Sequence, residues 1–262
     1  MKLGWKRLWL FAGILTMANQ LCADLTLEVD LGGTQTRISM SVLKKRVDTV
    51  NPLLGAPTSV LIQVENGTVC KVDPGLKVYE EKFFEISGDG SSTPSGVPGG
   101  ASTVKPLNKT RAILGLQASG YQASLPDGRT VTLWVAPINE TLMQAGREIY
   151  DYQKAYLGKL YENQPSKQPR DLDEDLCVVA GFIQPDLAAM LHGLRGLPKG
   201  FLLAMEARDE KKRFSVEEKL LEIKSLQAAP VRLDTFVIPQ TYKQVPSLME
   251  EQIRGMRGTE KK

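Results

Sequence analysis

The sequence predicts an α+β fold, a curved antiparallel sheet or unclosed β-barrel with helices covering one side. Three observations carry this reading. Alternating, β-rich runs broken by turn signals fill residues 25–79. One long stripe of apolar residues at helical spacing follows Pro137. Strand-like runs return after residue 200, with none of the regular strand–helix alternation that marks a parallel sheet.

The N-terminus is a separate object. Lys2, Lys6 and Arg7 precede an apolar run from Leu8 to Ala18, and small and polar residues follow. This is the three-part form of a secretory signal peptide, assigned to residues 1–23 with cleavage after Ala23 or after Ala18. The run is too short for a membrane span, which needs about 20 apolar residues, so the mature chain carries no transmembrane segment. Cys22 raises acylation and lipid anchoring, but Leu21 stands where a small residue would be required. The expected location is therefore exported, periplasmic or secreted. Losing residues 1–23 leaves 30 basic residues against 30 acidic ones, a formally neutral chain with no basic stripe for nucleic acid.

The mature chain reads as one domain over residues 24–246, followed by a charged helix or tail at 247–262. In "TRISMSVLKKRVDTV", Ile38, Met40 and Val42 alternate with Arg37, Ser39 and Ser41, as a half-buried strand requires. Asn66-Gly67 predicts a type I′ hairpin turn with positive φ at both residues, and Asp73-Pro74-Gly75 a second turn. Residues 87–103 are nearly all Gly, Ser, Thr and Pro, and read as a mobile loop that cannot bury enough apolar area to order itself. Glycines at 115, 120 and 128 do not make a phosphate loop, because neither G-x-G-x-x-G nor Gly-Lys-Ser/Thr occurs. "GYQAS" and "RTVTLWV" around Asp127-Gly128 are instead a β-hairpin. Val131, Leu133 and Val135 take one face, with Thr130, Thr132 and Trp134 on the other. Gly120 marks a bulge or a close backbone approach.

The stripe of Leu142, Ala145, Ile149, Tyr152, Tyr156 and Leu160 predicts a helix over 141–161, with Thr141 as N-cap and Pro165 as a stop. Such a stripe either packs on a sheet or presents an amphiphile-binding surface. Short helices follow within residues 176–200. Strands return in "FLLAMEARD" and "KRFSVEEKLLEIKSL", with 209–212 as their turn, and "PVRLDTFVIPQTYKQVP" is extended.

The residues exclude more chemistry than they offer. The one histidine, His192, has no G-x-S-x-G elbow to serve and reads as a packing or capping residue. One histidine and two distant cysteines make no zinc site. Asp171–Asp175 lack the glycine and glutamate of a calcium loop. No pair of the acids stands out as a glycosidase pair. No catalytic residue, metal or cofactor is expected. Asn66, Asn108 and Asn139 sit in N-x-Ser/Thr sequons. Cys70 and Cys177, the cysteines left after cleavage, form one disulfide or remain two buried thiols.

Several of these segments resemble an exported bacterial family grouped as a domain of unknown function, of the 4412 type. The resemblance covers about two thirds of the mature chain. It rests on an arginine in an early strand (Arg37 or Arg46), Tyr79 after Asp73-Pro74, and the hairpin residues Gly115, Ala118, Gly120, Tyr121 and Trp134. Pro230, Phe236, Pro239, Tyr242 and Lys243 complete it. The layout is similar to the lipoprotein carriers LolA and LolB, whose unclosed barrel holds acyl chains beneath a helical lid. That resemblance implies a non-enzymatic envelope protein binding a lipid, lipoprotein or other amphiphile. The cavity would be lined by Tyr121, Trp134, Leu142, Ile149, Tyr152, Tyr156 and Leu160. The alternative is an envelope assembly protein that binds protein partners and has no ligand cavity. Core packing is the competing role for each lining residue, and Phe236 and Ile238 are expected to insert against the sheet.

Overall fold

The computed structural model describes residues 24–50, 57–85, 102–125, 128–165, 183, 187, 190–191, 193–209 and 218–259, the side chains of 255–259 excepted. Residues 1–23, read above as a signal peptide, with Cys22 among them, most of the 87–103 stretch, Asp171–Asp175, Cys177 and His192 lie outside them.

The first six strands are a meander of hairpins: β1 (Leu25–Leu31), β2 (Thr34–Ser41), β3 (Lys44–Val50), β4 (Pro57–Gln63), β5 (Thr68–Asp73) and β6 (Val78–Phe83). Gly32 and Gly33 join β1 to β2 with φ of +59° and +83°, the two positive values that a two-residue type I′ turn demands. The alternation through Thr36–Val50 is cut by a turn at Val42-Leu43, where Ser41 pairs with Lys44. Val42 therefore does not share a strand face with Ile38 and Met40. No turn-forming residue announces this reversal, and the cross-strand pairing sets it. The Asn66-Gly67 turn exists, but only Gly67 has positive φ (+64°), because four residues rather than two separate the strand ends. The Asp73 turn closes through its own carboxylate, which accepts from Leu76 N–H at 2.9 Å.

The second half adds β7 (Ser102–Thr103), β8 (Lys105–Ile113), β9 (Leu116–Ser124) and β10 (Arg129–Ala136), then helix α1 (Glu140–Leu160). β11 (Leu194–Arg195), β12 (Phe201–Asp209), β13 (Glu218–Ala228), a short 3-10 helix (Leu233–Phe236), β14 (Lys243–Gln244) and helix α2 (Leu248–Thr259) follow. The β9–β10 hairpin forms as the Asp-Gly signal predicts. Ser102 and Thr103, expected to close the loop, instead pair in parallel with β11.

Twelve strands make one unclosed sheet in the order β14-β6-β5-β4-β3-β2-β1-β13-β12-β10-β9-β8, antiparallel except for the short β14–β6 pair. The fold is α+β on a large antiparallel sheet. Helix α1 crosses β13, β1 and β2, and α2 lies by β5 and β6. Leu25 and Leu27 of β1, Ile38 and Met40 of β2, Leu133 of β10, Met205 of β12 and Leu221 of β13 are at most 1% exposed and pack with Leu142, Ala145 and Ile149 of α1. Each such side chain contributes about 1.5–3 kcal/mol by leaving water. The opposite face of β4 and β5 has its own cluster: Leu61, Cys70 and Val72 beneath Phe236, flanked by Tyr79, Ile238 and Tyr242. Phe236 and Ile238 thus insert against the sheet as expected. Arg46 ties their segment down, giving one hydrogen bond to Thr235 O at 3.0 Å and one to Asp48 at 2.8 Å. Among the described residues no helix is long and apolar enough to cross a membrane.

Candidate functional site

Helix α1 starts one residue before the predicted position because Asn139, not Thr141, caps it. The Asn139 Oδ1 accepts from Leu142 N–H at 2.8 Å, and Thr141 is exposed in the first turn. The stripe then divides. Leu142 and Ile149 are 2% and 1% exposed, inside the core. Tyr152 is buried beyond them. Tyr156, still packed against the core margin, and Leu160, outside it, line an open cleft of about 280 Å³ against β5, β6 and Phe84. The helix outruns the strands that cover its first three turns, so its last turns meet a different part of the sheet.

The seven predicted lining residues do not surround one cavity. Tyr121 pairs with Leu133 and faces the core margin. Trp134, next to Leu133, necessarily takes the opposite face, where its Nε1–H donates to Glu206 at 2.9 Å. Only Tyr156 and Leu160 line the cleft. Sequence reading missed Val69, Lys71, Glu80, Lys82 and Phe84 on its other wall. Their one signal is period: Val69 and Lys71 share a strand face, as do Glu80 and Lys82 opposite them.

Rings build the inner wall. Phe84 meets Tyr156 edge-on at 4.9 Å, and Tyr156 stacks on Tyr152 at 6.2 Å. Lys45 of β3 lies 5.7 Å over the Tyr152 ring. Burial pushes both tyrosine hydroxyls up and the Lys45 ammonium down to about 8. The Tyr152 hydroxyl and Gln153 Oε1 are buried without a hydrogen-bond partner among the described residues. At the lip, Lys82 pairs with Glu80 at 2.6 Å, and Leu248 N–H donates to the other Glu80 oxygen at 3.2 Å. These two donors hold Glu80 below the usual carboxylate range.

A second cluster spans the opposite face. Arg111 of β8 bridges Glu206 of β12 at 2.6 Å and Glu222 of β13 at 3.0 Å, with its guanidinium 5.8 Å from the Trp134 ring. Lys219, at 2.9 Å, and Lys224 also pair with Glu222. Burial acts to raise the Glu222 carboxyl, but Lys224, Lys219 and Arg111 outweigh it and hold the group down at about 2. A carboxyl so held has no proton to give near neutrality, so Glu222 does not serve as a general acid. The cluster is a clamp across strands. Gly120 makes room for it, since a Cβ there would come within 3.1 Å of the Trp134 ring. The close approach predicted at Gly120 is thus to a side chain.

The Cys70 thiol is buried, donates to Glu81 Oε1 at 3.8 Å, and is pushed up to about 11 by burial and by the Glu81 charge. Cys70 is a free buried thiol among the described residues, and Cys177 lies outside them.

No family model matches the chain. No curated protein matches it either. Among solved structures, an uncharacterized conserved protein from Thermus thermophilus aligns at 8% identity and a TM-score of 0.40, over 90% of this chain and 98% of that one. A structure of PNGF-II aligns at 10% identity and a TM-score of 0.26, over 88% of this chain and 32% of that one. Likenesses this faint carry no argument about what the chain does.

Proposed function

We propose that the chain is an exported, non-enzymatic envelope protein that binds an amphiphile by its apolar part, in the cleft at the C-terminal end of α1. The observation that carries the reading is the division of the stripe. Tyr156, at the core margin, and Leu160, outside the core, line an open cleft with Val69 and Phe84. An unclosed sheet crossed by a helix on one face supports a LolA-like half-barrel, and the residue 1–23 pattern supports export. At about 30 Å³ per heavy atom, the cleft takes roughly ten such atoms, one chain end rather than several chains. The stripe residues Leu142 and Ile149, packed solid, favour the second reading, an assembly protein that binds envelope partners and has no ligand cavity.

The test is saturable binding of a fluorescent fatty acid to folded, lipid-stripped protein, alongside native mass spectrometry of protein taken from its own envelope. Binding that is lost in Leu160→Lys with an unchanged circular dichroism spectrum supports the carrier reading. No saturable binding by wild type transfers the case to the assembly reading.

A further inference from the structure

The charges around the cleft are not evenly spent. Four charged side chains line it: Lys71, Glu80, Lys82 and Glu85. Glu80 is used twice, by Lys82 and by Leu248 N–H. Lys82 is bracketed, hydrogen-bonded to Glu80 and attracted by the charge of Glu85. Lys71 lies directly opposite Glu80 in the β5–β6 register and within reach of its charge, yet forms no ion pair among the described residues. The lip of an apolar slot thus carries one cation in reach of water whose nearest carboxylate is already engaged.

Resting on the amphiphile reading, we infer that the cleft selects a single-chain amphiphile with an anionic head, the head meeting Lys71 and the chain lying along Val69, Phe84, Tyr156 and Leu160. The volume argues against a two-chain lipid, whose second chain would have no apolar wall. The head remains at the lip because carrying a carboxylate inward would strip its water without a charge partner on the apolar wall. An exposed cation also gives a bounded preference, since an exposed ion pair is worth about fivefold in affinity at best.

Decanoate, decanol and decyltrimethylammonium are titrated at pH 8 against the full mature chain, wild type and Lys71→Gln, with displacement of a fluorescent acyl probe as the readout. Wild type should prefer decanoate to decanol by about fivefold and bind decyltrimethylammonium weakest. Lys71→Gln should lose the preference, the ratio of decanoate to decanol affinity falling to about one, with circular dichroism checking that the variant is folded. The decanoate preference should shrink as salt is added. Equal binding of the three probes by wild type, or an unchanged preference in Lys71→Gln, overturns the anionic head but leaves the amphiphile reading standing. Tighter binding to phosphatidylglycerol vesicles than to decanoate overturns the single chain. Failure of every probe overturns the amphiphile reading, and this inference with it.

Discussion

Lys45 is a cation buried under a tyrosine ring, with no carboxylate paired to it among the described residues. Its folded-state value of about 8 lies below the ordinary 10.5. The penalty for burying the charge is therefore full below pH 8 and disappears as pH rises to 10.5. Lys45→Met should stabilise the protein at pH 7 by up to about 3 kcal/mol. Urea unfolding across this range should find wild type gaining on the variant between pH 8 and 10.5. Glu222 behaves in the opposite sense. Its carboxyl is held at about 2, so its stabilisation is present above the ordinary 4.5 and is lost as pH falls toward 2. Glu222→Gln removes the carboxylate that Arg111, Lys219 and Lys224 share, leaves Arg111 its bridge to Glu206 and Lys219 its pair with Asp30, and should cost about 2 kcal/mol at pH 7. The same substitution should flatten the acid limb of unfolding between pH 4.5 and 2. Neither residue could be singled out from sequence. One lysine in a run of three basic residues, and one glutamate among thirty acids, acquire their character only from strands that pairing brings beside them.

Within helix α1, one stripe holds two kinds of position. Ile149→Asp should unfold the protein, because that side chain is 1% exposed among core residues. Leu160→Lys, only partly buried, should fold and lose acyl binding, and circular dichroism with the binding assay separates the two. Asn139→Ala should cost about 1 kcal/mol and Thr141→Ala almost nothing, as thermal unfolding will report. The helix itself was plain in the spacing, as were the Asp-Gly hairpin and the apolar face of β2. The division of the stripe was not, since it depends on how far the sheet extends beneath the helix. Seven of the nine residues lining the cleft fall between Val69 and Glu85, more than seventy residues before Tyr156. The reversal at Val42-Leu43 was hidden for another reason: with no Gly, Pro, Asn or Asp there, only the pairing of Ser41 with Lys44 reveals it.

Across the whole sheet, space follows sequence in two runs. β1 to β6 step outward in one direction, and β13, β12, β10, β9 and β8 step outward in the other. The outer strand β8 is guarded by Pro106 and by a register shift between Pro106 and Thr110, where Asn108 has φ of +52°. Deleting residues 107–109 should flatten this edge and produce concentration-dependent association in light scattering. Among the described residues, the two runs are joined within the sheet by the pairing of β1 with β13, in which Leu25 meets Ala228. A chain emerging N-terminus first thus delivers one side of its seam at once and the other only when nearly all of it has appeared. Until then each half exposes an apolar face and holds nothing permanently closed. On the export proposed above, such lateness would keep the chain pliable for the whole of its passage through a narrow channel. A chain stopped at Asp209 should be digested throughout by a dilute protease, β2 to β6 included. The chain extended to Thr259 should resist.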